Sequence, residues 1–287
     1  MKEKNFKDGS QRGVVVITGC DSGIGRSIAD SLRRKGCTLV VSYLDENHFD
    51  GYNNVYARKM DLKNPGEIED FIAFVKDLCQ RDHRVETVIA NAGVALGGPI
   101  ENIPMEIYRD SFEINYFGAI TIIKALIPEI IRQKGRIVVI GSLAGRIAMP
   151  FLSPYASTKF ALEGFCDSLR REMNPFGVKT ILIEPAAVAT PIWNKAKNQD
   201  IGFADKKYLE SLYAFRDNFI EGGNSGMATD EAAKQIIDII NRKKPKARYI
   251  VAQDRLVSRL MTFLPDSVID KAVVKMFRMH YQNNEKQ

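Results

Sequence analysis

A chain of 287 residues, 45% of them apolar and 26% charged, suits one large α/β domain or two small ones. The net charge of +6 is uneven: residues 242–278 hold ten Lys or Arg against three Asp, and the rest is close to neutral, which argues against nucleic-acid binding and leaves a surface or partner role for the tail. No uninterrupted apolar run reaches the roughly 18 residues that cross a bilayer, and polar residues 1–12 lack a signal peptide's apolar core, so a cytoplasmic protein is expected.

In chain order, residues 14–17 form an apolar, β-branched run ending in Thr18-Gly19. Ile24, Ile28 and Leu32 then recur at helical spacing, and Gly36 stops that helix. Residues 38–43 and 55–60 read as strands two and three. Ile68, Phe71, Ile72, Val75 and Leu78 mark a helix over 65–80, and 85–90 makes a fourth strand. A long helix is predicted over 104–134, kinked near Pro128, which lacks a backbone donor. A strand over 136–141, a helix over 154–174, a strand over 178–184, a helix over 230–242 and a strand over 248–252 complete the series. Short apolar strands alternating with helices predict a doubly wound parallel sheet, Rossmann-type, in one domain of about seven strands over residues 13–252. Such sheets bind ligands beyond the carboxyl ends of their strands.

The chemistry-bearing residues fall at those ends. Between the first strand and first helix lies Thr18-Gly19-Cys20-Asp21-Ser22-Gly23-Ile24-Gly25. Glycines there let the backbone turn tightly and approach a pyrophosphate, and the helix start adds free N–H groups. Tyr155 and Lys159 stand four apart, on one face of a predicted helix. A free phenol titrates near pH 10, and a neighbouring ammonium favours its ionised form. The pair can therefore move a proton to or from a substrate oxygen near neutral pH. Cys20, Cys37, Cys79 and Cys166 show no CxxC spacing and read as free, mostly buried thiols. His48, His83 and His280 show no metal-ligand spacing, so no metal is expected.

The TGxxxGxG spacing resembles the short-chain dehydrogenase/reductase family over about residues 13–252. Asn91-Ala92-Gly93, Asn115, Ser142, the YxxxK of Tyr155 to Lys159, and Glu184-Pro185 with Val188 and Thr190 follow in the family's order. The resemblance implies an oxidoreductase moving a hydride between a nicotinamide cofactor and an alcohol or carbonyl carbon. Tyr155 would be its acid–base, Ser142 the group that positions the substrate, and Asn115 the holder of a water joining Lys159 to solvent. Lys159 would lower the Tyr155 pKa and bond the nicotinamide ribose. Gly19, Asp21, Ser22, Gly23, Ile24 and Gly25 would cradle the pyrophosphate. Asp61 and Leu62 would meet the adenine, and Asn91, Ala92, Gly93, Pro185, Val188 and Thr190 the remainder of the cofactor.

At the end of the second strand, Tyr43 stands where the family often has Asp, no basic residue occupies the place, and Asp45 follows. Asp21 would repel a 2′-phosphate. NAD(H) is favoured, with NADP(H) the alternative. Ala186 stands where the family usually has glycine, so a positive φ there would be strained.

Residues 190–226 read as a substrate lid rich in aromatics, with Gly222 to Gly226 lending flexibility. Met149, Phe151 and Trp193, with Ser142 and Tyr155, are the expected substrate contacts. The glycine loop is also similar to the family's steroid and retinol dehydrogenase branch, which implies a lipophilic, steroid-like alcohol or ketone. Residues 253–287 form a basic amphipathic extension that covers the core or a subunit interface, or lies on a membrane surface without spanning it. The resemblance implies a homodimer or homotetramer. Two other readings compete: a catalytically silent nucleotide-binding or sensor protein, and an epimerase or dehydratase on the same fold.

Overall fold

The computed structural model describes residues 13–81 and 83–279. The expected N-terminal tail over 1–12, the end of the extension from 280 onward and His280 lie outside the described residues.

Among the described residues, seven strands form one parallel sheet: β1 (Gly13–Ile17), β2 (Thr38–Tyr43), β3 (Val55–Lys59), β4 (Arg84–Ala90), β5 (Arg136–Ile140), β6 (Lys179–Pro185) and β7 (Arg248–Val251). Their order across the sheet is β3-β2-β1-β4-β5-β6-β7. The order reverses between β1 and β4, the switch point where such sheets bind ligands.

The central strands are apolar along their length because both faces are covered. Val14 and Val16 of β1 point into one core, with Val88, Ile122, Leu126 and Leu162. Val15 and Ile17 point into the other, with Ile28, Leu32, Ile236 and Ile240. The first layer is built from α2 (Pro65–Gln80), α4 (Gly118–Gln133) and α5 (Ser153–Met173), the second from α1 (Gly23–Arg34) and α8 (Thr229–Ile240). Asn64 starts α2 by accepting from the N–H groups of Gly66 and Glu67, with Pro65 at the first position.

The long helix differs from expectation. α3 (Met105–Phe112) passes into α4 through a π-helical turn, Glu113–Phe117, that carries Asn115. Pro128 lies inside α4 without ending it, on the exposed side. The stretch Met105–Gln133 is long and apolar enough to cross a membrane by length and composition. Its apolar face, including Ile122, Ile123, Leu126 and Ile130, is buried against the sheet, which accounts for that composition.

Residues 190–226 hold two helices, α6 (Ile192–Lys197) and α7 (Lys206–Asn224). The extension forms α9 (Arg255–Met261) and α10 (Asp266–Met276). The basic excess is divided: Arg242 to Lys246 precede β7 while α9 follows it, so the two groups lie at opposite ends of that strand. All four cysteines are free; Cys20 and Cys166 are buried, Cys37 and Cys79 half-buried.

Candidate active site

The glycine loop leaves β1 at the switch point. Gly19 and Gly23 take φ values of +70° and +59°, which a side chain would resist. A Cβ on Gly25 would lie 2.2 Å from the Gly19 carbonyl oxygen. The loop is braced by the segment after β4. Thr18 Oγ1 accepts from the N–H groups of Asn91 (3.0 Å) and Ala92 (3.1 Å). Asn91 Nδ2 donates to the carbonyls of Thr18 (2.9 Å) and Gly19 (3.0 Å). Ser22 precedes α1 without capping it, and the first N–H groups of a helix have no intrahelical acceptor. Donors, absent Cβ atoms and a helix start together make a cradle that fits a dinucleotide pyrophosphate. Ile24 turns inward and packs on the second core.

At the end of β2, Asp21 Oδ1 accepts from the N–H groups of Leu44 (2.6 Å) and Asp45 (2.8 Å). Tyr43 pairs in register with Lys59. Lys195 of α6 reaches Asp45 at 3.3 Å, a cation that the local sequence around β2 gave no sign of. Asp61 accepts from the Lys63 N–H, and Leu62 is buried beside Gly118.

The four residues of the expected catalytic group converge at the carboxyl ends of β4 and β5. Asn115 is buried in the π-turn. Its Oδ1 accepts from the Val94 N–H (2.8 Å), and its Nδ2 donates to the Val94 carbonyl (2.9 Å) and Thr158 Oγ1 (3.0 Å). Thr158 Oγ1 donates to the Tyr155 carbonyl at 2.7 Å. Ser142 Oγ accepts from the Ala144 N–H at 3.1 Å, and the Ser142 hydroxyl acts on the Tyr155 phenol in the direction that favours its ionised form. A Cβ on Gly93 would lie 3.1 Å from Asn115 Oδ1 and 3.8 Å from Lys159 Nζ, so Gly93 opens the space between them.

Lys159 is buried one helical turn from Tyr155. Its Nζ donates to the Ile140 carbonyl at 3.0 Å and lies 5.6 Å from the Tyr155 ring centroid. Burial pushes Lys159 down to about 8. Burial pushes the Tyr155 phenol up, and Ser142 only partly opposes it. In this arrangement the Lys159 ammonium is turned to a backbone carbonyl.

Pro185 ends β6, and the Ala186 N–H donates to the Val251 carbonyl at 2.9 Å. Ala186 does not take a positive φ, so the anticipated strain is absent. Among the described residues, the non-glycine residues that do are Lys134, Phe151 and Arg278. Val188 pairs with Met227, and a Cβ on Gly23 would meet the Thr190 side chain at 3.2 Å, which places this loop over the glycine turn.

Trp193 serves as a strut. Its indole N–H donates to the Val188 carbonyl at 2.6 Å, and its ring meets Phe219 edge-on at 4.8 Å. A Cβ on Gly223 would come within 2.3 Å of that indole, so this glycine permits close packing rather than the expected flexibility. Gln199, unmarked by any motif, pairs doubly with the Gly97 backbone (2.9 and 2.7 Å) and ties the segment between α6 and α7 to the loop after β4. Beneath it lies an apolar cavity of about 30 Å³, lined by Ala95, Phe151, Leu152, Leu212, Phe215 and Phe219 among others. It has room for about one water, so a larger ligand must displace α6 and α7. Trp193 and Met149 do not line it; Met149 packs on the same aromatic cluster.

One turn beyond Lys159, Glu163 meets Arg248 at 2.7 Å. Glu184, at the end of β6, lies 3.5 Å from Arg146 and 3.8 Å from Arg248. Burial and the neighbouring Glu163 push Glu184 up to about 7. The four members are spread from 146 to 248, a separation no local pattern reveals.

A dinucleotide cradle at the switch point and a Tyr–Ser–Lys–Asn cluster beside it define a nicotinamide-dependent oxidoreductase. The family described as short chain dehydrogenase matches residues 13–201. The chain is 31% identical to an NADPH-dependent 3-dehydrocapnine reductase of Ornithobacterium rhinotracheale, over 91% of this chain and 95% of the relative. It is 29% identical to the mitochondrial D-beta-hydroxybutyrate dehydrogenase of Rattus norvegicus, over 93% and 85%. It is 31% identical to a 3beta-hydroxysteroid dehydrogenase of Caenorhabditis elegans, over 67% and 53%. Its fold matches a short chain dehydrogenase/reductase of Burkholderia phymatum in complex with NAD, with a TM-score of 0.76 at 21% identity, over 95% of this chain and 97% of that one. This chain belongs to the short-chain dehydrogenase/reductase family, and with it to the NAD(P)-dependent oxidoreductases that act on CH–OH groups.

Proposed function

We propose that the protein interconverts an apolar secondary alcohol and its ketone, with Tyr155 as the acid–base. The observation that carries this reading is the convergence of Ser142, Tyr155 and Lys159, one helical turn from Tyr155, at the end of β5 beside the glycine cradle, with the Ser142 hydroxyl near enough to the phenol to favour its ionised form. A bound nicotinamide dinucleotide supplies the hydride acceptor or donor.

Ser142 holds the substrate oxygen. Tyr155 takes the proton from an alcohol or gives it to a carbonyl oxygen. The buried phenol is protonated at neutral pH, the state ready to donate. For the reverse direction the Lys159 ammonium must leave the Ile140 carbonyl and favour the phenolate. Asn115 acts by holding the Val94 backbone and the Tyr155 turn in place.

The cofactor reading favours NAD. Asp21 and Asp45 put two carboxylates beside the end of β2, where a 2′-phosphate would be repelled. Lys195 offsets part of that charge. The apolar substrate is supported by the cavity lining of Phe151, Phe215 and Phe219, reached once α6 and α7 move apart. A homo-oligomer is supported by the exposed rings of Phe117 and Phe160 on adjoining helical segments.

The test is a spectrophotometric screen of alcohols and ketones, including steroids, bile acids and sugars, with NAD(H) and NADP(H) in parallel. The expected result is turnover of apolar secondary alcohols or ketones with the higher kcat/KM for NAD(H). Turnover of sugars alone overturns the substrate class, preference for NADP(H) overturns the cofactor reading, and no coupled turnover favours a silent nucleotide-binding protein.

A further inference from the structure

The end of the chain displays apolar surface that no described part of the protein covers. α9 buries no side chain, and α10 buries none. Leu256 is 67% exposed, Leu260 57% and Phe263 70%, and Val257, Leu264 and Val268 are exposed beside them. Soluble monomers rarely leave so many neighbouring apolar groups in water.

The segment is nonetheless held in place. Asp254 caps α9 by accepting from the Val257 N–H at 2.9 Å. Phe277 is buried and meets Phe215 edge-on at 5.2 Å, and Ser211 Oγ donates to the Arg278 carbonyl at 3.1 Å. A cap on α9 and an anchor after α10 thus hold two helices whose apolar side chains face outward.

Charge decides what covers them. Arg255, Arg259, Lys271, Lys275 and Arg278 are interleaved with the apolar residues, and among the described residues none of the five is ion-paired. Of the three acids, Asp254 is occupied as the α9 cap, Asp266 opens α10 and Asp270 is exposed on α10, so the cations outnumber the acids five to three. An anionic bilayer satisfies both kinds of group: apolar side chains enter the acyl boundary while Arg and Lys meet lipid phosphates. A second copy would bring the same cations to the contact, Arg255 held by Gln235 Oε1 at 2.9 Å and none of the five neutralised by an acid among the described residues.

We propose that α9 and α10 dock the protein on an anionic lipid surface. α9 leaves the carboxyl end of β7, the end of the parallel sheet at which Ser142 and the glycine loop sit. Phe277 joins the cluster of Phe151 and Phe215 that lines the cavity. Docking therefore turns the substrate end of the protein toward the bilayer. The proposal stands apart from the identity of the substrate, because its test reads binding alone.

The full chain is sedimented with phosphatidylcholine vesicles and with vesicles that also contain phosphatidylserine. The expected result is retention on the phosphatidylserine vesicles, weaker on phosphatidylcholine alone and falling with salt. A Leu256→Glu/Phe263→Glu variant and an Arg255→Glu/Arg259→Glu variant should each lose retention about tenfold or more, with unchanged unfolding temperature and unchanged nucleotide binding. Absence of wild-type retention, or equal retention of both variants, overturns the proposal. So does sedimentation equilibrium showing that the wild type self-associates and that the Leu256→Glu/Phe263→Glu variant does not, since the surface is then an interface between copies.

Discussion

Lys159 Nζ donates to the Ile140 carbonyl at 3.0 Å, deep in the protein and at the same end of β5 that carries Ser142 two residues on. An ammonium so placed has lost most of its water and gained one neutral acceptor. That is why its pKa sits at about 8, below the usual 10.5.

A stability effect follows. Between those two pH values the unfolded chain binds more protons than the folded one, so stability rises with pH through that window. The cost of the buried ammonium is fully present below pH 8. Lys159→Met removes it, and the unfolding temperature at pH 7 should rise by a few degrees. The gain should shrink toward pH 10, while turnover falls by about 10²-fold or more. Thermal unfolding at several pH values, paired with initial rates, checks both parts.

Asn115 closes three hydrogen bonds, two to the Val94 backbone and one to Thr158. Asn115→Ala leaves the N–H and carbonyl of the half-buried Val94 without these partners. The expected loss is about 2–4 kcal/mol, measured by denaturant unfolding. Nucleotide affinity should fall much less than turnover, because the glycine cradle is braced separately through Thr18 and Asn91.

Glu184 carries the opposite pH dependence. Its folded value, about 7, lies above the usual 4.5, because burial and then Glu163 disfavour its charge. The folded protein therefore binds more protons between those pH values, and stability falls as pH rises through them. Glu184→Gln abolishes the loss. Its advantage in unfolding temperature should be largest near pH 8 and vanish near pH 4, at about 2–4 °C for each kcal/mol recovered.

Much of the fold was legible because it depends on local pattern. β1, β5 and β6 are buried on both faces, so their sequences are continuous apolar runs. Helical spacing gave α1, α2 and α8. The π-turn escaped because one extra residue per turn, over five residues, barely disturbs the apolar periodicity around it. Pro128 suggested a kink, yet it lies on the exposed face, where the Lys124 carbonyl left without its donor is on the solvent side.

The site was legible where a short motif carries it. Tyr155 and Lys159 share one helical face by spacing alone. The Lys159–Ile140 bond, the Lys195–Asp45 pair, the Gln199–Gly97 clamp and the Glu163–Glu184–Arg248 cluster join residues 19 to 150 positions apart. Such contacts arise only when the sheet brings separate strand ends together. Gly223 misled for the same reason: in sequence it reads as flexible, and in the fold it makes room for the Trp193 indole.

The most direct measurement is the turnover of Tyr155→Phe beside its dinucleotide affinity. The substitution removes the phenol oxygen beside Ser142 and leaves the ring and the glycine cradle in place. The expected result is a fall in kcat of about 10²–10⁴-fold with nucleotide binding nearly unchanged. A variant that keeps most of its turnover would contradict the assignment of Tyr155 as the acid–base.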